Sequence, residues 1–281
     1  MSRQDRAAED ERKDSMPREK TVPTTDDYLL RLQVDGWCLL EDVIPETQVE
    51  EVRESVLRTV SSPEYLEDRD FLAYNSEFAR HVAEPRILAI LEALWGEFYR
   101  VGWMGPTFRH PGDSRGQWHV DWPFGTRPAA GILPPFPDAV MYLTSIWMLS
   151  PFLPESGGTI IAPGTHRSGM DPTTDAMIDE KAPRATEIQV SGAAGSVVLL
   201  DSRLWHANAD HNGAEPRFAM RVCYAPWWLN LQPIDPESPE GIRMSEEFGD
   251  TAAPPMPRLS AEAFNAMPDQ VRPLYHHWVN W

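Results

Sequence analysis

The sequence predicts a mainly β domain of the sandwich, barrel or jelly-roll kind, preceded by a helical N-terminal third. In about the first hundred residues, apolar side chains recur at helical spacing. From Tyr99 onward, short apolar runs alternate with turns rich in Gly, Pro, Asp and Ser. No helix-length pattern alternates with those runs, which argues against a doubly wound parallel sheet.

The helical part is predicted to begin near Thr25, which can cap a short helix that Gly36 ends. Trp37–Leu40 follows as a buried strand, because four apolar side chains are consecutive there. Pro45 fits the first turn of a second helix, in which valines recur at helical spacing. A third helix is expected over Pro85–Leu94.

The β part is predicted as a series of short strands, and the tail as a segment rich in Pro, Glu and Met. The expected strands are Gly102–Arg109, Gln117–Val120, Val140–Leu149, Thr159–Ala162, Thr186–Val190, Ser196–Leu200 and Phe218–Tyr224. The tail, from about Leu229, ends in an aromatic stretch whose Trp278 and Trp281 fit a lid, a subunit contact or a docked tail.

Composition and charge exclude several classes of partner. The net charge is −18, so neither nucleic acid nor an anionic membrane surface is expected to bind. The apolar runs are too short for a membrane span, and the N-terminus lacks the apolar core of a signal peptide. The two cysteines, Cys38 and Cys223, lie in apolar segments and fit a reducing cytoplasm. Residues 1–24 are expected to be a disordered charged arm, and residues 25–281 one domain, monomeric or homodimeric.

A metal site is predicted from two separate segments. His119 and Asp121 are two residues apart on the expected strand Gln117–Val120, so both side chains should point to one face. His206 follows the strand Ser196–Leu200, where a barrel can present a side chain at its mouth. A lone His-x-Asp is weak evidence, but two histidines and one carboxylate suit a non-haem iron with open positions. Zinc accepts a similar ligand set, so the triad alone does not name the metal.

Arg217 is the candidate for binding a second, anionic partner of that metal. It lies eleven residues after His206, at the start of the last predicted strand. A guanidinium group can bind a carboxylate through two hydrogen bonds. A 2-oxoacid that chelates iron leaves its far carboxylate in need of such a partner. Arg221 competes for this role, because it lies four residues on and on the same face.

Four segments, in this order, resemble the phytanoyl-CoA dioxygenase family of Fe(II)/2-oxoglutarate oxygenases. They are Asp35-Gly36-Trp37-Cys38-Leu39-Leu40; Gln117-Trp118-His119-Val120-Asp121; Ser156-Gly157-Gly158-Thr159-Ile160-Ile161-Ala162-Pro163-Gly164-Thr165-His166; and Trp205-His206 followed by Asn208 and Arg217. Each segment alone is short, but their order and spacing make the resemblance specific.

The resemblance implies a double-stranded β-helix, which is a cupin-like jelly roll, with N-terminal α-helices packed outside it. It also implies that iron, bound by His119, Asp121 and His206, works with 2-oxoglutarate and O2 to give succinate, CO2 and a hydroxylated product. The arginine of the last strand, Arg217, and by analogy Gln117 and Thr159, would then bind 2-oxoglutarate. Because Asp121 is present, hydroxylation is favoured over halogenation. The aromatic content favours a mid-sized, partly apolar substrate such as a natural-product intermediate.

Other interpretations stay open at this point. A cupin-type zinc or manganese isomerase would use the same triad, and a binding protein could keep the fold without the chemistry. The Pro-rich stretch from Trp122 to Pro137 fits either a rigid packed loop or a wall of the substrate pocket. Arg127, within it, is either a surface residue or a contact for a substrate anion. His166 is expected to bind backbone, and His211 is an alternative to His206.

Overall fold

Two antiparallel β-sheets form the core of the structure, a computed structural model that describes residues 22–63, 65, 71–125, 131–173, 179–231, 234–235, 237–248 and 259–279. The larger sheet has the order β1-β6-β3-β8-β2, and the smaller sheet has the order β5-β4-β7. The strands are β1 (Trp37–Leu40), β2 (Tyr99–Arg109), β3 (Leu143–Met148), β4 (Thr159–Ile161), β5 (Ile188–Gln189), β6 (Val197–Asp201), β7 (His206–Asn208) and β8 (Arg217–Pro226). This is the jelly-roll core that the sequence predicts, and the fold prediction is confirmed.

The two faces of the larger sheet have different partners, and β8 shows this most clearly. Alternate side chains of a strand point to opposite faces. One set packs into the main apolar core beneath the helices: Phe218, Met220, Val222 and Tyr224. In the other set, Ala219 joins a second apolar cluster, and Arg217 and Arg221 line a cavity between the sheets. One strand therefore contributes both to the core and to the site.

Helices cover the outer face of the larger sheet. They include α1 (Thr25–Asp35), α2 (Glu46–Val60), α3 (Phe71–Tyr74), a 3-10 turn (Phe78–Ala83) and α4 (Pro85–Trp95). Thr24 caps α1, one residue before the Thr25 that the sequence suggested, because its hydroxyl accepts the Asp27 N–H. Gly36 ends α1 in the left-handed conformation with φ of 83°, as predicted. The N-terminal helices are confirmed, whereas residues 1–21 of the expected disordered arm lie outside the described residues.

The C-terminal tail also contributes helices, which the sequence did not reveal. They are α5 (Pro239–Phe248), α6 (Ala261–Ala266) and α7 (Arg272–Tyr275), and a 3-10 turn follows over His276–Trp278. Tyr275 and Trp278 are buried in the main core, and the Trp278 indole N–H donates to the Val101 carbonyl at 2.9 Å. Of the three interpretations of this tail, Trp278 therefore supports docking, and Trp281 lies outside the described residues. None of the described helices has the length and apolar character needed to cross a membrane.

The predicted strand Gln117–Val120 is wrong in detail. Only His119 of this segment pairs with a strand, through a single antiparallel bridge to His206 of β7. The backbone N–H of the neighbouring Trp118 does not donate to β7 and instead donates to the Glu180 carbonyl at 2.8 Å. The segment is thus an irregular edge of the smaller sheet, and His206 begins β7 instead of ending β6.

Candidate active site

The two candidate histidine ligands are held together by their own backbones. The His119 N–H donates to the His206 carbonyl at 3.0 Å, and the His206 N–H donates back to the His119 carbonyl at 3.1 Å. This reciprocal pair places the two imidazole rings side by side, with centroids 4.2 Å apart. Their proximity is therefore fixed by backbone pairing and does not depend on rotamer choice alone.

Each imidazole also has one nitrogen engaged by a nearby carbonyl. His119 Nδ1 lies 3.0 Å from the Gln117 carbonyl oxygen, and His206 Nδ1 lies 2.9 Å from that of Leu204. A carbonyl accepts only, so both Nδ1 atoms carry the proton in the neutral ring. Both Nε2 atoms therefore have a free lone pair, which is the arrangement that metal-binding histidines commonly show.

Asp121 completes a group of three ligand atoms that all lie within 4.8 Å of one another, the one such group among the described residues. Its two carboxylate oxygens have different surroundings. Oδ1 lies 3.7 Å from His206 Nε2, whereas Oδ2 accepts a 2.6 Å hydrogen bond from the Thr144 hydroxyl. Thr144 lies on β3 and is fully buried. It thereby leaves Oδ1 as the oxygen directed at the histidines.

The electrostatics keep these groups in the protonation states that a metal requires. Burial raises the pKa of the Asp121 carboxyl, but His206, Arg221, His119 and the Thr144 hydrogen bond outweigh burial, and the pKa is about 2. Burial, and then the neighbouring His119, lowers the pKa of His206 to about 4. At neutral pH the site therefore offers one carboxylate and a neutral His206 imidazole.

Arg217 lies at the start of β8 and is buried, with 3% of its surface exposed. Its guanidinium group stacks over the Phe152 ring at 4.4 Å, and Nη2 donates to Asn208 Oδ1 at 3.4 Å. No carboxylate of the described residues pairs with it within 4.0 Å, which is unusual for a buried charge. Burial, and then the charge of Arg109, lowers the pKa of Arg217 to about 10. The group is still protonated at neutral pH and is suited to an incoming anion.

A cavity of about 90 Å³ is lined by both candidate histidine ligands and by Arg217. Its lining residues are Thr107, Phe108, Arg109, His119, Thr144, Ile146, Thr159, His206, Ala207, Asn208, Arg217 and Arg221. The sequence-predicted Thr159 is therefore brought to the site. Gln117 is not among the lining residues, and its side chain is exposed.

The remaining sequence candidates lie elsewhere or have other partners. His166 is buried and its Nε2 lies 3.2 Å from the Gln33 carbonyl oxygen, which confirms the expected backbone contact. His211 is buried but does not belong to the group of close ligand atoms. In the Pro-rich loop, Trp122 is 41% exposed and Phe124 is buried, and none of the described residues of this loop lines the cavity. Arg127 lies outside the described residues.

Sequence reasoning missed Thr144, which contacts the carboxylate ligand. Thr144 is 23 residues from Asp121 and is one of several hydroxyl residues in an apolar strand. Asn208, the partner of Arg217, was noted only as part of a motif. Its position two residues after His206 on the same strand face was the available signal.

Comparisons with solved structures identify proteins of the same fold. HygX from Streptomyces hygroscopicus, solved with nickel and 2-oxoglutarate bound, is 20% identical with a TM-score of 0.61, and the match covers 78% of this chain and 94% of HygX. The epimerase SnoN, solved with Fe3+, alpha ketoglutarate and nogalamycin RO, is 20% identical with a TM-score of 0.54, covering 72% of this chain and 83% of SnoN. At these identities the likeness shows a shared fold.

The sequence comparisons give the family. The uncharacterized protein Rv1501 of Mycobacterium tuberculosis (strain ATCC 25618 / H37Rv) is 24% identical over 208 residues, which cover 66% of this chain and 69% of that protein. The family described as Phytanoyl-CoA dioxygenase (PhyH) matches residues 32–219, which is more than half of the chain and includes His119, Asp121, Thr159, His206 and Arg217. The chain belongs to the phytanoyl-CoA dioxygenase (PhyH) family.

Proposed function

We propose that this protein is an Fe(II)- and 2-oxoglutarate-dependent oxygenase that hydroxylates a small, partly apolar molecule, with release of succinate and CO2. One observation carries the proposal: two of the three clustered ligand residues, His119 and His206, line the same cavity as a buried arginine, Arg217, that has no carboxylate partner among the described residues. A metal alone would explain the triad but not the buried cation.

The residues fit an iron ion. Two Nε2 atoms and one carboxylate oxygen form a ligand set that leaves further coordination positions open, as non-haem iron oxygenases require. The Nδ1 contacts of both histidines orient the rings, and the Thr144 hydroxyl orients the carboxylate. In the proposed enzyme His119, Asp121 and His206 hold the iron.

The residues also fit 2-oxoglutarate, which is a dianion with carboxylates at both ends. Arg217 is proposed to bind the far carboxylate, with Asn208 fixing the guanidinium plane. Thr159, on β4 in the cavity lining, is proposed as a second contact. The same role for Gln117 requires its exposed side chain to turn toward the cavity.

Iron and 2-oxoglutarate, when bound, supply the oxidising chemistry together with O2. The chain's own task is to orient both and to limit water at the reacting position. Ile146 and Phe108 contribute apolar surface to the cavity wall. A C–H bond presented on the open side of the metal ligands would then be oxidised, and hydroxylation is the proposed outcome.

The test is turnover of 2-oxoglutarate by the purified chain. Anaerobic protein is mixed with Fe(II) and 2-oxoglutarate, O2 is admitted, and succinate is quantified for wild type, His119→Ala and Arg217→Ala. Arg58→Ala is the matched control, because Arg58 lies on the surface, with a side chain 62% exposed. We expect slow succinate formation by wild type and the control, and none by the two site variants.

The contrary result is equally informative. If wild-type protein forms no succinate and binds no 2-oxoglutarate under nitrogen, the oxygenase proposal fails. A cupin-type isomerase or a binding protein would then be the better description. If succinate forms, a product heavier by one oxygen atom, labelled from 18O2, distinguishes hydroxylation from epimerisation.

A further inference from the structure

The cavity concentrates positive charge, although the chain as a whole is acidic. The chain has 43 acidic and 25 basic residues, whereas the described residues that line the cavity include three arginines and no aspartate or glutamate. Arg221 stacks on the Trp103 ring at 4.2 Å and forms an ion pair with the candidate ligand Asp121. Arg217 is assigned to 2-oxoglutarate by the proposed function. Arg109 has no role in that proposal.

Arg109 and Arg217 lie directly opposite each other on neighbouring strands. Arg109 ends β2, Arg217 begins β8, and the two are register partners in the antiparallel pair. Opposed residues project from the same face of the sheet, where two like charges are destabilising. The charge of Arg109 is accordingly felt by Arg217, since it contributes, after burial, to lowering the pKa of Arg217. A carboxylate bound near both side chains would relieve this repulsion.

Backbone carbonyls hold Arg109 in place. Its Nη2 atom donates to the carbonyls of Asp113, Ser114 and Ala209 at 3.2, 2.8 and 3.1 Å. Carbonyl oxygens are neutral acceptors, so they orient the guanidinium group without cancelling its charge. The Arg109 side chain is only 15% exposed, so solvent and salt screen that charge less than they would at the surface.

Asp113 neutralises Arg109 only in part. Asp113 Oδ2 lies 3.6 Å from Arg109 Nη1, which is longer than a hydrogen bond, and the same oxygen accepts the His110 N–H at 2.8 Å. The Asp113 side chain is 38% exposed and does not belong to the cavity lining. The remaining charge of Arg109 acts on a ligand in the cavity through space, so its effect does not require a free hydrogen-bond donor.

We propose that Arg109 is a specificity-determining residue for the cosubstrate. Its charge, beside that of Arg217, makes the cavity select 2-oxoacids with a carboxylate at the far end over those whose far end is apolar. Arg217 supplies the hydrogen bonds to this carboxylate, Arg109 supplies a second positive charge, and Asp113 opposes Arg109. This assignment rests on the proposed function and adds a residue to it.

The experiment compares two 2-oxoacids with the same carbon chain, 2-oxoglutarate and 2-oxovalerate, of which only the first has a far carboxylate. The full chain is loaded with Ni(II), and the affinity for each acid is measured by calorimetry. The variants are Arg109→Gln, Arg109→Lys and Asp113→Asn, with Arg58→Gln as the surface control. The observable is the ratio of the two affinities, because damage to the metal end affects both acids alike.

We expect Arg109→Gln to lower the preference for 2-oxoglutarate by about 10-fold, the order of one charge acting through space in a partly buried site. Arg109→Lys keeps the charge but loses the planar contacts to the carbonyls, and it should retain most of the preference. Asp113→Asn removes the opposing charge and should raise the preference by about 2-fold, because an exposed partner is well screened. Arg58→Gln should match wild type.

A purely structural role for Arg109 predicts a different order, in which Lys is as harmful as Gln and Asp113→Asn gives no gain. That order, or a ratio that Arg109→Gln leaves unchanged, overturns the inference. If 2-oxovalerate binds too weakly to measure, the same order of variants is read from the 2-oxoglutarate affinities. Failure of wild-type Ni(II) protein to bind 2-oxoglutarate would reject the proposed function as well, whereas tight binding with an unchanged ratio rejects the role of Arg109 alone.

Discussion

The hydrogen bond from Thr144 to Asp121 gives the sharpest test of how the metal site is held. Thr144→Val removes the hydroxyl but keeps the β-branched shape, so the side chain can keep its rotamer on β3. The hydroxyl donates at 2.6 Å to Oδ2, Thr144 is fully buried, and the Asp121 side chain is 12% exposed. Water therefore has little access to replace the lost donor.

The magnitude follows from the charge of the acceptor. A hydrogen bond to a charged group contributes about 1.5–3 kcal/mol, and removing a hydrogen-bond partner of a metal ligand typically weakens metal binding by about 10- to 100-fold. We expect Thr144→Val to weaken Ni(II) and Fe(II) binding by about that factor, because the carboxylate is then free to rotate. Thr144→Ser keeps the donor and should stay much closer to wild type.

Metal affinity is measured by anaerobic calorimetry, with thermal unfolding of the metal-free protein as a second readout. Thr59→Val is the control, since Thr59 is also a buried threonine, and its hydroxyl donates to the Ser55 carbonyl far from the site. It should lower stability without lowering metal affinity. If Thr144→Val binds metal as tightly as Thr144→Ser, the carboxylate is not positioned by this hydroxyl and the reasoning is refuted.

Three further predictions concern stability, each measured by chemical denaturation. Gly195→Ala should lower the free energy of unfolding by about 2 kcal/mol or more, because φ of Gly195 is 89° and an added Cβ would collide with the Ile44 carbonyl. A loss of stability smaller than that of a surface substitution would contradict this prediction. Arg203→Met should destabilise by about 3–5 kcal/mol, since it leaves the buried Asp201 carboxylate without its 2.8 Å partner, and the double variant with Asp201→Asn should recover part of the loss. Burial, and then Arg100, lowers the pKa of His277 to about 3. The unfolded chain therefore takes up this proton at a higher pH than the folded chain does, so the free energy of unfolding should fall as the pH drops below about 6.5. His277→Gln should reduce that fall, and an unchanged pH dependence would contradict the prediction.

Much of the site was predictable because its residues are close in sequence or share a motif. His119 and Asp121 converge, as the spacing of two predicts, even though the segment is not a regular strand. Arg217 is separated from His206 by one turn between β7 and β8, so its placement follows from local connectivity. These are short-range relations that a sequence records directly.

The unpredicted contacts depend on strand pairing between distant segments. Thr144 reaches Asp121 only through the position of β3 between β6 and β8. Trp103 lies beneath Arg221 because β2 pairs with β8 across an irregularity between Val101 and Trp103, and a local sequence pattern does not specify such a shift.

The two shortest C-terminal helices were missed for a different reason. α6 has 6 residues and α7 has 4, so neither is long enough to show a helical period. They are stabilised mainly by packing: Phe264 of α6 and Leu274 and Tyr275 of α7 enter the main core. Tertiary contacts, which are not visible in the segment itself, decide the structure there.

The reciprocal backbone pairing of His119 and His206 has a consequence for how the protein acquires its metal. Hydrogen bonds within the chain hold the two histidines at the sheet edge, so we expect metal binding not to be needed to organise this part of the chain. The apoprotein should consequently remain folded after chelation, and the ion should exchange without unfolding. Different divalent metals can then compete for a preformed site, so the metal found in the cell depends on supply as well as on affinity.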